Sequence, residues 1–198
     1  MKTKPLTFLL SLTFLFLFSG SSVVFSDDLQ DATDAYKRQD YETAYQLNLL
    51  LADQGIAAAQ YNLGVMVAKG EGITQDINLA INLFRLAAEQ GFARAQYDLG
   101  VIYDKPHGVP QDYKKAVKWF RLAAEQGHTG GQYNLGLMYY NGHGVPQDDV
   151  LAHMWWNICS SSGRKDCVKN RTIVEEIMTP SQREKAQEMA RNWKPTKK

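Results

Sequence analysis

Ser162 and Lys165 form an S-x-x-K tetrapeptide, a spacing at which a lysine amine can activate a serine hydroxyl as a nucleophile toward lactams. The S-D-N and K-T-G segments that complete such a site are absent. The plainer reading is a solvated turn. His107 and His143 stand one repeat period of 36 residues apart and could suggest a ladder of metal ligands. Stacked helical units lie about 10 Å apart, too far for two imidazoles to share one ion at about 2 Å. His128 falls at a turn, and His153 falls on a helix, where a solvated or half-buried place is expected. Glu175 and Glu176 are neighbours on a helix and diverge. Cys159 and Cys167 are the only cysteines, and two lone thiols make a poor metal site. Trp119-Phe120 and Trp155-Trp156 could stack on a sugar or peptide, but packing explains them first. No nucleophile, base and orienting group converge by spacing. No catalytic residue is therefore assigned, and neither a cofactor nor a metal is expected.

The elements that carry these residues repeat. FRLAAEQG-x-x-x-x-QY-x-LG occurs twice at a period of 36, placing Phe84, Gly91, Gln96, Leu99 and Gly100 in register with Phe120, Gly127, Gln132, Leu135 and Gly136. Gly55, Gln60, Tyr61, Leu63 and Gly64 form an older copy, and Ala44, Ala80, Ala116 and Ala152 carry the register into a fourth. Self-similarity at this period marks units that bury their apolar faces only by stacking. In one unit Asp76 is an N-cap, and Ala80, Leu83, Phe84 and Ala87 follow at helical spacing. Gly91 ends that helix, and a second begins near Ala93, with Ala95, Gln96, Leu99, Gly100 and Tyr103 facing inward. The recurrent helical glycines cost propensity and so argue for close helix contact. An opening helix is expected to use Leu29, Ala32, Ala35 and Tyr36. A closing one is expected over 180–193, with Thr179-Pro180 and Gln182 as a capping box, Ala186, Met189, Ala190 and Trp193 inward, and a frayed tail.

These motifs resemble the Sel-one-like repeat family, relatives of the tetratricopeptide repeats. The segment 113–148 carries the resemblance at Ala116, Trp119, Ala124, Gln132, Gly142 and Val145, and the likeness covers roughly 41–160. Pro106 replaces a glycine, Thr129 and Gly131 stand where alanines are expected, and Val67-Ala68 lacks the usual tyrosine. The resemblance implies an all-α solenoid, a right-handed superhelix of about four helix pairs (41–76, 77–112, 113–148, 149–178), and a role in holding other proteins. It also implies a bridge between the two helices of a unit. In repeat register, Cys159 and Cys167 replace small residues that face each other across the fourth interhelical turn, so a Cys159–Cys167 disulfide is expected. The second helix of that unit is expected from Val168 to Met178.

Lys2 and Lys4 precede an apolar run, Leu6 to Phe18, then small residues. This reads as a secretory signal, residues 1–26, cleaved before Asp27, and leaves 27–198 as one solenoid. Cleavage removes two of 22 basic residues against 21 acidic ones, which gives no basic surplus for nucleic acid. No later stretch is apolar enough for a membrane span. A periplasmic or secreted monomer is expected. On the first helices, the face opposite the alanines reads Glu42, Gln46, Leu49; Asn78, Asn82, Arg85; Lys114, Lys118, Arg121; Val150, Met154, Asn157. Of these, Asn82, Arg85, Lys114, Lys118, Arg121, Met154 and Asn157 are the expected contacts for a protein or peptide partner. The expected function is a non-enzymatic exported scaffold. The alternatives are a lactam-binding hydrolase at Ser162/Lys165 and an envelope glycan-binding protein.

Overall fold

The computed structural model describes residues 21–106 and 109–196, with side chains from residue 27. Among the described residues there are ten helices and no strand: α1 (Ser21–Lys37), α2 (Tyr41–Asp53), α3 (Ala57–Lys69), α4 (Ile77–Glu89), α5 (Ala93–Asp104), α6 (Tyr113–Glu125), α7 (Thr129–Asn141), α8 (Asp149–Ser160), α9 (Lys165–Ile177) and α10 (Pro180–Asn192). The chain is an all-α solenoid in which each helix from α1 to α8 packs on the next and α10 packs back on α8. Of the expected signal segment, residues 1–20 lie outside the described residues, as does His107, while 21–26 open α1.

Local chemistry starts and stops each helix. Asp40, Asp76, Asp112 and Asp148 cap α2, α4, α6 and α8, their carboxylates accepting from the backbone N–H of Thr43, Leu79, Lys115 and Leu151 at 2.9–3.2 Å. This satisfies N–H groups that have no partner inside the helix. Between the paired helices the chain turns at Gly55, Gly91, Gly127 and Gly163, all at φ between +81° and +93°, a region that other residues enter at a cost. Thr179 and Gln182 form the capping box at α10. The glycine replaced by Pro106 has a visible effect. α3 and α7 end on left-handed Gly70 and Gly142, whereas α5 stops one residue short, with Lys105 extended at φ −128°, ψ 153°. A residue before proline is pushed out of the helical region.

Contact between helices is closest at the recurrent glycines. A Cβ on Gly64 would lie 2.8 Å from the Phe84 ring, and on Gly100 and Gly136 it would run into Phe120 and Trp156. The aromatic ring of each incoming first helix therefore sits directly on the backbone of the second helix before it. A chain of amides runs beside these contacts. Buried Gln60, Gln96 and Gln132 each donate to the last turn of the preceding helix, at Ala52, Ala88 and Ala124 carbonyls. Gln90 donates to Gln60 and Gln126 to Gln96, both at 2.7 Å.

One further tie joins neighbouring units: the Tyr61 hydroxyl donates to Asp98 at 2.9 Å. Burial pushes the Asp98 carboxyl above its usual range, against the opposing effects of the Tyr61 hydrogen bond and the Arg94 charge. A raised carboxyl pKa in the folded state means a stabilising contribution present at low pH and lost as pH rises through that pKa. Asp98→Asn, which keeps an acceptor for Tyr61, is therefore expected to melt above the wild type near neutral pH. The gap should close below about pH 4, where the aspartate is protonated in both states. Identical melting curves across the range would show that Asp98 carries no such cost.

The last two elements depart from expectation. α9 begins at Lys165 rather than Val168, with the Arg164 guanidinium bidentate on Asp166 and lying over the Tyr133 ring at 4.6 Å. The tail is tied down as far as it is described, to Thr196. α10 lies across α8, Trp193 packs edge-on to Trp155, and the chain returns to α6, where the Thr196 N–H and hydroxyl both donate to the Glu125 carbonyl.

Candidate protein-binding surface

Six of the side chains on the first-helix strip stand exposed on α4 and α6: Asn78, Asn82, Arg85, Lys114, Lys118 and Arg121. They are there because the opposite face of each helix is committed to the stack, where Ala80, Phe84, Ala116 and Phe120 are buried. Lys114, Lys118 and Arg121 surround a shallow hollow of about 440 Å3 whose floor is Val117, Leu122 and Val145. Arg121 donates to the Tyr139 hydroxyl at 2.7 Å, and the Lys118 ammonium lies 5.0 Å over Trp119. Among the described residues none of these three cations has a carboxylate within 4 Å. Arg85 instead donates to Asn82 on its own helix. Three unpaired cations around an apolar floor suit a carboxylate-bearing segment with an apolar side.

On α8 the expected strip fails. Met154 is 8% exposed and Asn157 is half-buried, so neither is free to meet a partner. The physical reason is α10. Lys185, Glu188, Met189, Asn192 and Trp193 lie around Met154, while Arg171 from α9 takes the Asn157 side chain at 3.0 Å. An open strip therefore covers the first three first-helices only. Two residues were missing from it: Leu79 and Leu86, 41% and 50% exposed on α4 beside Asn82. Their signal was present, since Leu79, Asn82 and Leu86 fall at i, i+3, i+7, a spacing that puts apolar residues next to the polar strip.

The other candidate groups are structural. Cys159 and Cys167 are bonded, with Cα atoms 5.9 Å apart, joining α8 to α9 as expected from the register. Ser162 is exposed, and its hydroxyl donates to the Cys159 carbonyl at 2.7 Å, with no base beside it. In register it replaces Gln90 and Gln126, so the amide chain ends there. His143 stacks on Tyr113 at 4.4 Å, and His128 caps α7 by accepting from the Gly131 N–H, its imidazole pKa lowered by burial. His153 is neither solvated nor half-buried. It is fully buried in α8 and meets the Glu175 Oε1 of α9 at 2.7 Å, and the Arg171 Nε approaches the same oxygen at 3.5 Å. The cause is α9, which covers the α8 face that carries it. Trp119 and Trp155 are buried, with the Lys118 ammonium over the first ring and Trp193 meeting the second in a T-shaped pair, and they present no open stacking platform.

The sequence model of the Sel1 repeat matches residues 57–92, 93–128 and 130–158. Each matched segment begins on a second helix and takes in the following first helix, the two helices that meet at a glycine and an aromatic ring. No curated protein sequence matches at a significant level. Among solved structures, a Sel1 repeat protein from Oxalobacter formigenes is 34% identical with a TM-score of 0.69, over 73% of this chain and 43% of that one. A protective antigen of uropathogenic Escherichia coli that displays an SLR fold is 24% identical with a TM-score of 0.43, over 85% of this chain and 53% of that one. The chain thus spans about half the length of the structures it is similar to. With three matched units, their glycine-to-ring contacts and the hairpins around them, the chain belongs to the Sel1 repeat family.

Proposed function

We propose that this chain is an exported, non-enzymatic scaffold that binds a protein or peptide partner along the first helices. The partner segment suited to the strip is an amphipathic one with carboxylates facing α6 and apolar side chains facing Leu79 and Leu86. The observation that carries the reading is α10. This amphipathic helix of the same chain lies on the strip face at α8, covering Met154 there, so the face accommodates a helix in its own fold. Helical repeat arrays present such continuous surfaces because stacking fixes one face and leaves the other free to vary. Export is supported by the charged and apolar N-terminal residues and by the Cys159–Cys167 bond, which persists in oxidising compartments. No helix among the described residues is long and apolar enough to cross a membrane.

Lys118→Glu with Arg121→Glu is expected to weaken partner capture by about tenfold or more at moderate salt, since charge reversal turns attraction into repulsion. The partner is first captured by crosslinking in the native envelope and then titrated against both proteins. Helical circular dichroism and melting should be nearly unchanged, because both side chains are exposed. High salt should mimic the substitution. Capture that survives both treatments would place the partner elsewhere on the array. The mass of the exported protein tests the address separately, and a chain beginning at Asp27 is expected.

A further inference from the structure

The free face of the array is short and has a middle. α10 covers it at α8, so three first helices remain open, α2, α4 and α6, with α4 central. Their charges run in one direction. α2 carries Glu42 and Asp53 and no cation, and α4 carries one charge of each sign in Arg85 and Glu89. α6 carries Lys114, Lys115, Lys118 and Arg121 against the single acid Glu125. The face is therefore acidic at one edge, balanced in the middle and basic at the other. The capping aspartates do not alter this order, because one precedes each of the three helices.

Neither edge is neutralised within the chain. Glu42 and Asp53 are exposed, and among the described residues neither has a cation within 4 Å, just as Lys114, Lys118 and Arg121 have no carboxylate. α4 holds the two edges apart by two unit spacings, about 20 Å, well beyond the Debye length of about 8 Å at physiological salt. The same face exposes leucines. Leu50 of α2 is 56% exposed and stands in the register position of the exposed Leu86 of α4, with Leu79 exposed one helical turn and a half away. Leucines exposed together, rather than singly, mark a contact with another protein.

We infer that the partner on this face is a second copy of the chain, related to the first by a two-fold axis running along α4. The inference rests on the reading of the strip as a protein-binding surface and names its occupant. Rotation about that axis sets α4 on α4 and exchanges the edges, so that α2 of each copy meets α6 of the other. Glu42 then stands level with Lys114 and one turn from Lys118, and Asp53 lies one turn from Arg121, because α2 and α6 share one register. α2 is itself the kind of segment that suits α6, an amphipathic helix with carboxylates and an exposed leucine. The contact is made twice, as an isologous interface requires, and each acidic edge finds a basic one. α8, with α10 upon it, falls past the α2 edge of the other copy. A reversible dimer thus takes the place of the monomer expected from the sequence.

The test is sedimentation of the intact mature protein over a range of concentrations. The wild type is expected to pass from monomer to dimer, and a rise in salt from about 0.05 M to about 0.5 M should weaken the association about tenfold or more. Lys118→Glu with Arg121→Glu should associate at least about tenfold more weakly, because α6 then repels α2. Glu42→Lys with Asp53→Lys should do the same with the signs exchanged. An equimolar mixture of these two variants should dimerise again, since each acidic edge now meets a basic one at both contacts. All four side chains are exposed, so circular dichroism and melting should match the wild type in both variants. A wild type that stays monomeric to about 1 mM, a dimer that survives either reversal, or a mixture that stays monomeric overturns the proposal. A monomeric wild type that still captures another protein through Lys118 and Arg121 removes only the second copy as partner and leaves the scaffold reading standing.

Discussion

Gly100→Leu is expected to cost about 3 kcal/mol or more, at the upper end for overpacking a core. A Cβ alone at this position would run into the Phe120 ring, which is itself fully buried between α5 and α6 and has nowhere to retreat. In a protein of this size that corresponds to a fall in melting temperature of roughly 6–12 °C. Gly136→Leu should behave alike, since the Trp156 indole is held in place by its bond to the Tyr133 carbonyl. The sharper experiment is Gly100→Ala. Helix propensity alone would make it stabilising by about 1 kcal/mol, whereas ring contact makes it destabilising. Thermal unfolding of Gly100→Ala with and without Phe120→Leu separates the two: the alanine should destabilise the first background and be tolerated in the second. A Gly100→Ala protein that melts above the wild type would mean the ring can slide and the glycine is not a fixed contact.

Replacing both Cys159 and Cys167 with alanine is expected to cost about 2.5 kcal/mol by the loop-closure estimate for so short a ring. Alanine is the natural control because other units already hold Ala87, Ala123 and Ala95 at these register positions. The loss should be local. Within α9 only Cys167 and Val174 are buried, so the helix rests on α8 through little else than the bond, the His153–Glu175 contact and the Arg171 hydrogen bonds. Amide hydrogen exchange should show α9 opening in the double alanine variant, or on reduction of the wild type, while α4 to α6 stay protected. Equal protection of α9 in both proteins would mean that packing alone holds the fourth unit. Reaction of both cysteines with a thiol label in unreduced, exported protein would remove the bond itself.

Most of the fold could be read from the residues because a repeat prints its own alignment. The caps at Asp76, Asp112 and Asp148, the turn glycines and the close contacts at Gly64, Gly100 and Gly136 all follow from comparing the chain with itself. The cysteine pair was legible for the same reason. Register comparison is blind where the period stops. The returning tail and the burial of Met154 depend on where α10 lands, and no earlier unit has a helix in that place. His153 has no histidine counterpart in another unit, and its partner Glu175 lies in α9, where the repeat signature has decayed. The open part of the strip on α4 and α6 is legible as the face that stacking leaves free, and the exposed Leu79 and Leu86 adjoin it one row over on α4.

The glutamine chain bears on how such a protein can change length. Gln96 gives one hydrogen bond to its own unit, at Ala88, and receives one from the next, at Gln126. A duplicated copy of residues 77–112, inserted after itself, would arrive with its own Gln90 to donate backward and its own Gln96 to accept forward, and would leave no amide stranded. The seam is closed only at Ser162, where a short hydroxyl turns onto Cys159 and does not reach back to Gln132. Unequal recombination within the coding sequence could therefore add or delete whole units in the middle while conserving both termini of the array. The reach of the free face would change in steps of one helix pair, with the end caps untouched.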